Sequence, residues 1–512
     1  MKRYVLFAII LGSSVVMTAQ PPEIEWGPFT EIPENTTLIR TFGFDGEEFF
    51  GIRAKTDKDD DRTTLWLEYY YENEVQISKE FLMPTVDGIS TRFKELFYIN
   101  RELILITVAH DTKNNKKYAY IQLLNDNGTL KTTPEKIGEI DLVGKAIDEP
   151  THEEAFHFML SDDGQQIIVY YHDYFEEYTD EPVHFKVISD SLEFINEHDI
   201  ILPLKERKFS ITQAVIGKSG NIYIAAKIEQ ESGRRSSRSS SKQYEKAIFI
   251  KKFDIKKDTI YKIPIDLGRQ VAADIVFKLD KEERIHVCGF IKDKRSPELK
   301  AVYHMEIDPV IPKILTNVNS RDFYRKFSRD ELEVFECKRL SKMTEEHRFN
   351  YVPQDILFIE NGCIIFISEN QYVDTLKRGE LEYHHNDLYL TMIMDKEIKW
   401  AKWFPKAQTS YNDGGMYSSY RLAIDGVKLR FMYNGDPSNI DEHKVSSIKT
   451  IKDIERATGM VLTVFSVDGA PHKMELFENE GLLKPALIKE HRGIYLMYQK
   501  AGNEYRFGTF FF

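Results

Sequence analysis

Residues 155–171 read AFHFMLSDDGQQIIVYY: an apolar run, an Asp-Asp-Gly turn, and a second, more apolar run. The same unit returns as SITQAVIGKSGNIYIAAKI (210–228), PQDILFIENGCIIFIS (353–368), YRLAIDGVKLRFMY (420–433) and PALIKEHRGIYLMYQ (485–499). Gly164 and Gly220 stand 220−164 = 56 residues apart, and Gly362 and Gly426 stand 426−362 = 64 apart. A hairpin recurring at this period cannot bury its apolar faces alone. It must stack against its neighbours, most simply as the blades of a β-propeller.

Working outward, eight such units begin near Thr37, Phe93, Ala155, Ser210, Val271, Gln354, Tyr420 and Pro485. Third strands follow, as in KAIFIKKFDI (246–255) and DLYLTMIMD (387–395). Continuous apolar runs mixed with alternating ones suit inner strands covered on both faces. The expectation is one all-β propeller over 20–512, with eight blades preferred and seven possible. The last unit lacks a fourth strand, and IEWGPFTEI (24–32) is predicted to supply it and close the ring. Two insertions interrupt the period. EQESGRRSSRSSSKQ (229–243) is a Ser-rich loop carrying Arg234, Arg235, Arg238 and Lys242. Residues 319–348 read as helix: Ser328 and Glu331 fit a capping box, and Phe323, Phe327, Leu332, Phe335 and Leu340 are spaced to share a face.

Residues 1–19 have the form of a secretory signal: Lys2 and Arg3, the apolar YVLFAIILGSSVVM, and Ala19 before a cut at Ala19/Gln20. Export to the periplasm or cell exterior is the expectation, with no transmembrane segment after cleavage. Three cysteines, Cys288, Cys337 and Cys363, make no CxxC spacing and no disulfide framework. The net charge is −13, and loss of Lys2 and Arg3 takes it to −13−2 = −15. That balance argues against a nucleic-acid partner.

Chemistry-bearing motifs are sparse. Asp57, Asp59 and Asp61 alternate as calcium ligands do, with Glu68 at the twelfth position. Arg62 replaces the sharp-turn glycine, and TTLWLEYYY starts a strand at Thr63, so a solvated acidic turn competes with calcium. His152, Glu153 and His157 miss the spacing of a zinc protease helix, and Gly217-Lys218-Ser219-Gly220 is a hairpin turn rather than a phosphate loop. No Gly-x-Ser-x-Gly elbow occurs, and no spacing singles out a carboxylate pair. The densest polar-aromatic stretch is KWAKWFPKAQTSYNDGGMYSSYR (399–421). Trp400, Trp403, Lys406, Gln408, Asn412 and Asp413 are its candidate binding residues, since aromatic platforms beside amides and carboxylates hold sugars or partner side chains. The competing reading has the tryptophans filling space between blades.

The signal ending at Ala19/Gln20, EIEWGPF (23–29) and the KWAKWFPKAQ…YNDGG…YSSY block resemble a group of uncharacterised exported proteins of Gram-negative bacteria, expected to be β-propellers. The resemblance implies fold and export and carries no activity. The leading expectation is a non-enzymatic binding or scaffold protein of the cell envelope, with a protein or glycan partner. The alternative is a glycan-acting hydrolase or a calcium-assisted glycan-binding propeller.

Overall fold

The computed structural model describes residues 22–512 apart from 57–62, 82, 143–155, 162–163, 173–180, 203–208, 232–243, 255–258, 266, 268–270, 293–295, 309, 311–312, 316–323, 360–361, 378, 452–456 and 478–480. The signal-like segment, Asp57, Asp59 and Asp61, His152 and Glu153, Phe323 and the basic loop residues Arg234, Arg235, Arg238 and Lys242 lie outside the described residues.

The described strands form eight antiparallel sheets, and these are the eight blades of a propeller. Their first strands are Thr36–Phe42, Ile89–Ile99, Phe156–Leu160, Phe209–Ile216, Val271–Leu279, Tyr351–Phe358, Arg421–Asp425 and the interrupted pair Leu482–Leu483 and Lys489–His491. Each opens close to a unit start read from the sequence. The turn glycines behave as hairpin chemistry demands: Gly164 and Gly220 adopt φ of +69° and +84°, a region that L side chains avoid.

The core is divided by blade junction. Phe50, Leu65 and Leu67 of blade one pack on Leu96, Leu103 and Leu105 of blade two. Equivalent clusters join each successive pair. The eighth returns to the start: Leu38, Phe49 and Tyr70 of blade one meet Leu496, Tyr498, Tyr505 and Phe507 of blade eight. Second strands such as Ile285–Lys292 are buried on both faces, which is why they read as continuous apolar runs.

The N-terminal segment closes the last blade. Ile24–Trp26 and Thr30–Glu31 both pair with Glu504–Phe511, with Ile24 opposite Phe510 and Trp26 opposite Gly508. A Cβ on Gly508 would lie 2.5 Å from the Trp26 ring, so only glycine lets that indole lie on the sheet.

The insertion differs in part from its sequence reading. Tyr324–Lys326 is a strand added to Leu299–Asp308 of blade five. The helices are Arg329–Phe335 and Glu345–Arg348, with a 3-10 turn at Leu340–Lys342 between them. Ser328 and Glu331 form the capping box. Phe327, Phe335 and Leu340 are buried at the junction of blades five and six, whereas Leu332 is 37% exposed. Cys288 and Cys363 are buried free thiols. No helix among the described residues is long and apolar enough to cross a membrane.

Candidate functional site

The inner strand of blade eight is broken at the seam where the ring closes. Pro485 cannot donate to a ladder, and Pro485–Leu487 forms a 3-10 turn between Leu482–Leu483 and Lys489–His491. The break turns Lys484 inward. Its side chain runs across to blade one, where Nζ donates to the Leu38 carbonyl at 3.1 Å. That carbonyl sits at the register shift between Leu38 and Arg40. Nζ lies 5.0 Å from the Tyr417 ring and 5.6 Å from the Tyr498 ring.

A cavity of about 500 Å3 opens here, lined by Arg53, Tyr417, Lys484, Tyr498, Lys500 and Asn503, with exposed Glu31 and Glu34 at its rim. Its charges are unequal in standing. Arg53 is neutralised locally: Nε and Nη2 donate to the two oxygens of Glu68 at 2.6 and 3.2 Å, and Tyr70 OH donates to Glu68 at 2.6 Å. Burial opposes the arginine's charge, but Glu68 outweighs it and its pKa rises. Lys484 and Lys500 form no ion pair among the described residues. Lys484 is 2% exposed, and its pKa falls from 10.5 to about 7. Burial is the main cause, Lys500 and Arg53 add to it, and Asp413 opposes it. Burial also pushes the Tyr417 and Tyr498 phenols up, so both are neutral rings. Two unpaired cations under tyrosine faces suit an anionic group carried on a ring or chain that can lie against the aromatics.

None of the residues proposed from sequence at 400–413 lines this cavity. Lys406 is wholly buried in blade six and donates from Nζ to Glu369 at 2.5 Å, Gln408 at 2.6 Å and the His385 carbonyl at 3.1 Å. Ser419 donates to the other Glu369 oxygen at 2.8 Å. Burial alone would raise the Glu369 carboxyl; Lys406 and His385 reverse that and hold it below the carboxylate norm. Gln408 donates to the Asn434 carbonyl at 2.9 Å. Asn434 in turn donates to Tyr417 O at 2.7 Å and Leu483 O at 2.9 Å, and accepts from Leu483 N at 2.8 Å. The chain of bonds therefore ends on Tyr417 and on the neighbour of Lys484. Lys406 and Gln408 hold the cavity wall.

Asn412 accepts from Leu381 N, and Asp413 accepts from Ser410 Oγ and Gly415 N, which shapes the turn before Tyr417. The tryptophans stand elsewhere. Trp400 donates to Ser466 O at 3.0 Å and packs between blades six and seven. Trp403 donates to Tyr351 OH and packs on Tyr389, Phe335 and Phe327 at 4.5, 5.4 and 5.5 Å. Neither forms a free platform beside Lys406. Glu68, the twelfth-position oxygen of the calcium pattern, lies in strand Thr63–Tyr71 and is committed to Arg53. Arg53, Lys484, Lys500, Tyr417 and Tyr498 were not singled out from sequence.

A second cavity of about 920 Å3 lies among hairpin turns of blades three to six. Asp280 and Glu283 are engaged, one within its own turn and one with the turn of blade four. Asp280 accepts from Glu282 N, Arg284 N and Arg284 Nε, and Glu283 binds Ser219 Oγ. Burial raises Asp280, but the bonds from Arg284 and His286 bring it below the ordinary value. A group so held is no proton donor at neutral pH.

No family model matches the chain, and no curated protein sequence matches it. Solved structures align over most of its length. The β-propeller domain of the Trilobed protease from Pyrococcus furiosus is 11% identical with a TM-score of 0.36, covering 90% of this chain and 100% of that one. A polysaccharide lyase, an ulvan lyase, is 9% identical with a TM-score of 0.38, covering 80% and 92%. An α-L-arabinofuranosidase of Fusarium graminearum is 10% identical with a TM-score of 0.30, covering 67% and 92%. Their activities belong to them, and the fold assignment here rests on the eight sheets themselves.

Proposed function

We propose that this protein is a non-enzymatic binding propeller of the cell envelope whose seam cavity receives an acidic group of an envelope glycan. One observation carries the reading. In a chain of net charge −13, Lys484 and Lys500 meet without acidic partners in a cavity walled by Tyr417 and Tyr498. A buried lysine held near neutrality is costly unless something of opposite charge visits it. Tyrosine faces add the flat apolar contact that a sugar ring uses. The signal-like residues 1–19 support export. Binding rather than turnover is favoured because Glu68 beside the seam cavity and Asp280 in the second cavity are held by Arg53 and Arg284.

The test is calorimetry of the mature protein with uronic-acid oligosaccharides, neutral oligosaccharides of equal length, and inorganic phosphate. Saturable binding of the uronates alone, weakened at least tenfold by Lys484→Met and by Lys500→Met, is the expected result. Phosphate binding as tight as the uronates would move the ligand class from glycan to phosphate. No anion bound, or binding by both variants as tight as by wild type, would overturn the reading.

A further inference from the structure

The hairpin of blade six, Ile364–Thr375 and Leu381–Met394, carries a second polar cluster on its other face. Asp374 pairs directly across the strands with Glu382, and Tyr372 with His384. With a side-chain period of two, all four project from the same face. Like charges placed directly opposite destabilise a sheet unless something neutralises them. Nε2 of His384 is sealed from solvent and has no hydrogen-bond partner. Its nearest acceptors are Glu382 Oε2 at 3.5 Å and Asp374 Oδ2 at 3.7 Å.

From these positions we propose that His384 Nε2, Asp374 and Glu382 bind a divalent transition-metal ion of the zinc class. The spacing fits. Zinc bonds of about 2.0–2.2 Å to nitrogen and oxygen set the edges of a tetrahedron at about 3.4 Å. The three ligand atoms lie within 4.8 Å of one another, and the two edges from His384 are near that ideal. Each ligand also has a supporting contact, as metal ligands require. Thr409 Oγ1 lies 3.2 Å from His384 Nδ1; with Nδ1 as donor, the lone pair is on Nε2. Tyr411 OH donates to Glu382 Oε1 at 2.8 Å. His347 Nε2 lies 3.5 Å from Asp374 Oδ1. His347 and His384 stack on opposite sides of Tyr372, at 4.1 and 4.3 Å, so His347 supports Asp374 instead of joining the ligands.

Three protein ligands leave a coordination position, and the 39% exposed Asp374 side chain places it at the solvent boundary, where water completes the set. Calcium is disfavoured: it seeks six to eight oxygens, whereas one of the three ligands here is an imidazole. This site is separate from the seam cavity and independent of the glycan reading.

The test uses the full mature chain stripped with chelator, titrated with zinc and separately with calcium. Calorimetry and thermal melting are the readouts. One zinc-dependent rise in melting temperature is expected. Asp374→Asn and His384→Phe should each lower zinc affinity by at least about 100-fold, and His347→Ala by about 10-fold. Asp374→Asn removes the cross-strand repulsion, so its metal-free form should melt no lower than wild type; a merely structural ion pair would give the opposite. That variant also keeps the test decisive if His384→Phe does not fold. Zinc binding unchanged in Asp374→Asn, no zinc binding at micromolar metal, or a calcium response equal to that of zinc would each overturn the assignment.

Discussion

Replacing Lys484 with methionine should make the free protein more stable while weakening its hold on an acid. Methionine keeps the stem that packs against Tyr417 and Tyr498 and removes the charge. At 1.36 kcal/mol per pKa unit, a lysine brought from 10.5 to about 7 costs the folded state roughly 4–5 kcal/mol near pH 6. The sign follows from proton counting. Between about pH 7 and 10.5 the unfolded chain binds more protons at this position than the folded one, so the lysine's penalty shrinks as pH rises. Near pH 9 it is about 2 kcal/mol by the same relation. Against the gain stands the lost bond to Leu38 O, which leaves a buried acceptor unmet at about 1–3 kcal/mol. Lys484→Met should therefore be about 2–3 kcal/mol more stable than wild type near pH 6 and about equal to it near pH 9. Urea midpoints at both pH values read the difference, with the slope checked for constancy. The companion readout is uronate affinity, which should fall about fivefold in wild type from pH 7 to 8 as Lys484 deprotonates, and stay low and flat in the variant. A variant less stable than wild type at pH 6, or a stability difference that does not change with pH, would refute the reasoning.

Lys406→Met leaves Glu369 buried without its cation and should cost about 3–5 kcal/mol near pH 7.5, most of it recovered in Lys406→Met/Glu369→Gln, both read from urea midpoints. The pH dependence should reverse as well. In wild type the depressed Glu369 adds stability above its unfolded pKa that is lost in acid, whereas in Lys406→Met burial raises the carboxyl and stability falls as pH climbs from 5 to 8. Gly508→Ala drives a Cβ into the Trp26 ring and should destabilise by about 1–3 kcal/mol, measured by chemical denaturation. Deletion of residues 20–32 uncovers the edge of Glu504–Phe511 and should lower the melting temperature and promote association, seen by light scattering.

The architecture was legible because it rests on local chemistry repeated eight times. Each hairpin needs its turn residues and its twice-covered strand, and both are visible in a window of twenty residues. The closing role of 24–32 was legible for the complementary reason that the last unit is a strand short. The insertion was read less well. Helix Arg329–Phe335 is only two turns long, so Phe327 and Leu340 fall outside it and the face read from spacing was never carried by one helix; within it Phe335 is buried and Leu332 is not. The cavity was hidden by topology. Arg53, Lys484 and Lys500 come from opposite ends of the chain and meet only where the ring closes. A signal was nonetheless present: in GLLKPALIKE a lysine before a proline interrupts an apolar inner strand. The metal cluster depended on register. Glu382-x-His384 and Asp374 are eight residues apart, and a slip of one position would have sent Asp374 to the opposite face.

The polar interior of blades six and seven explains what the sequence stretch at 399–421 is for. An ion pair as deep as Lys406–Glu369 is a poor way to gain stability, since apolar residues of equal volume do as well. What it provides is direction. Lys406, Gln408 and Asn434 have fixed numbers of donors and acceptors, and the acceptances they require end at Tyr417 O and Leu483 O. Both termini belong to the seam cavity, one beside the ring of Tyr417 and one beside Lys484. An apolar substitute would pack these strands equally well but would leave the 412–419 turn free to shift along blade eight. The buried charges thus hold the loop between blades six and seven in register with a lysine of blade eight, and the stability given up at Lys484 has a matching structural investment in blade six.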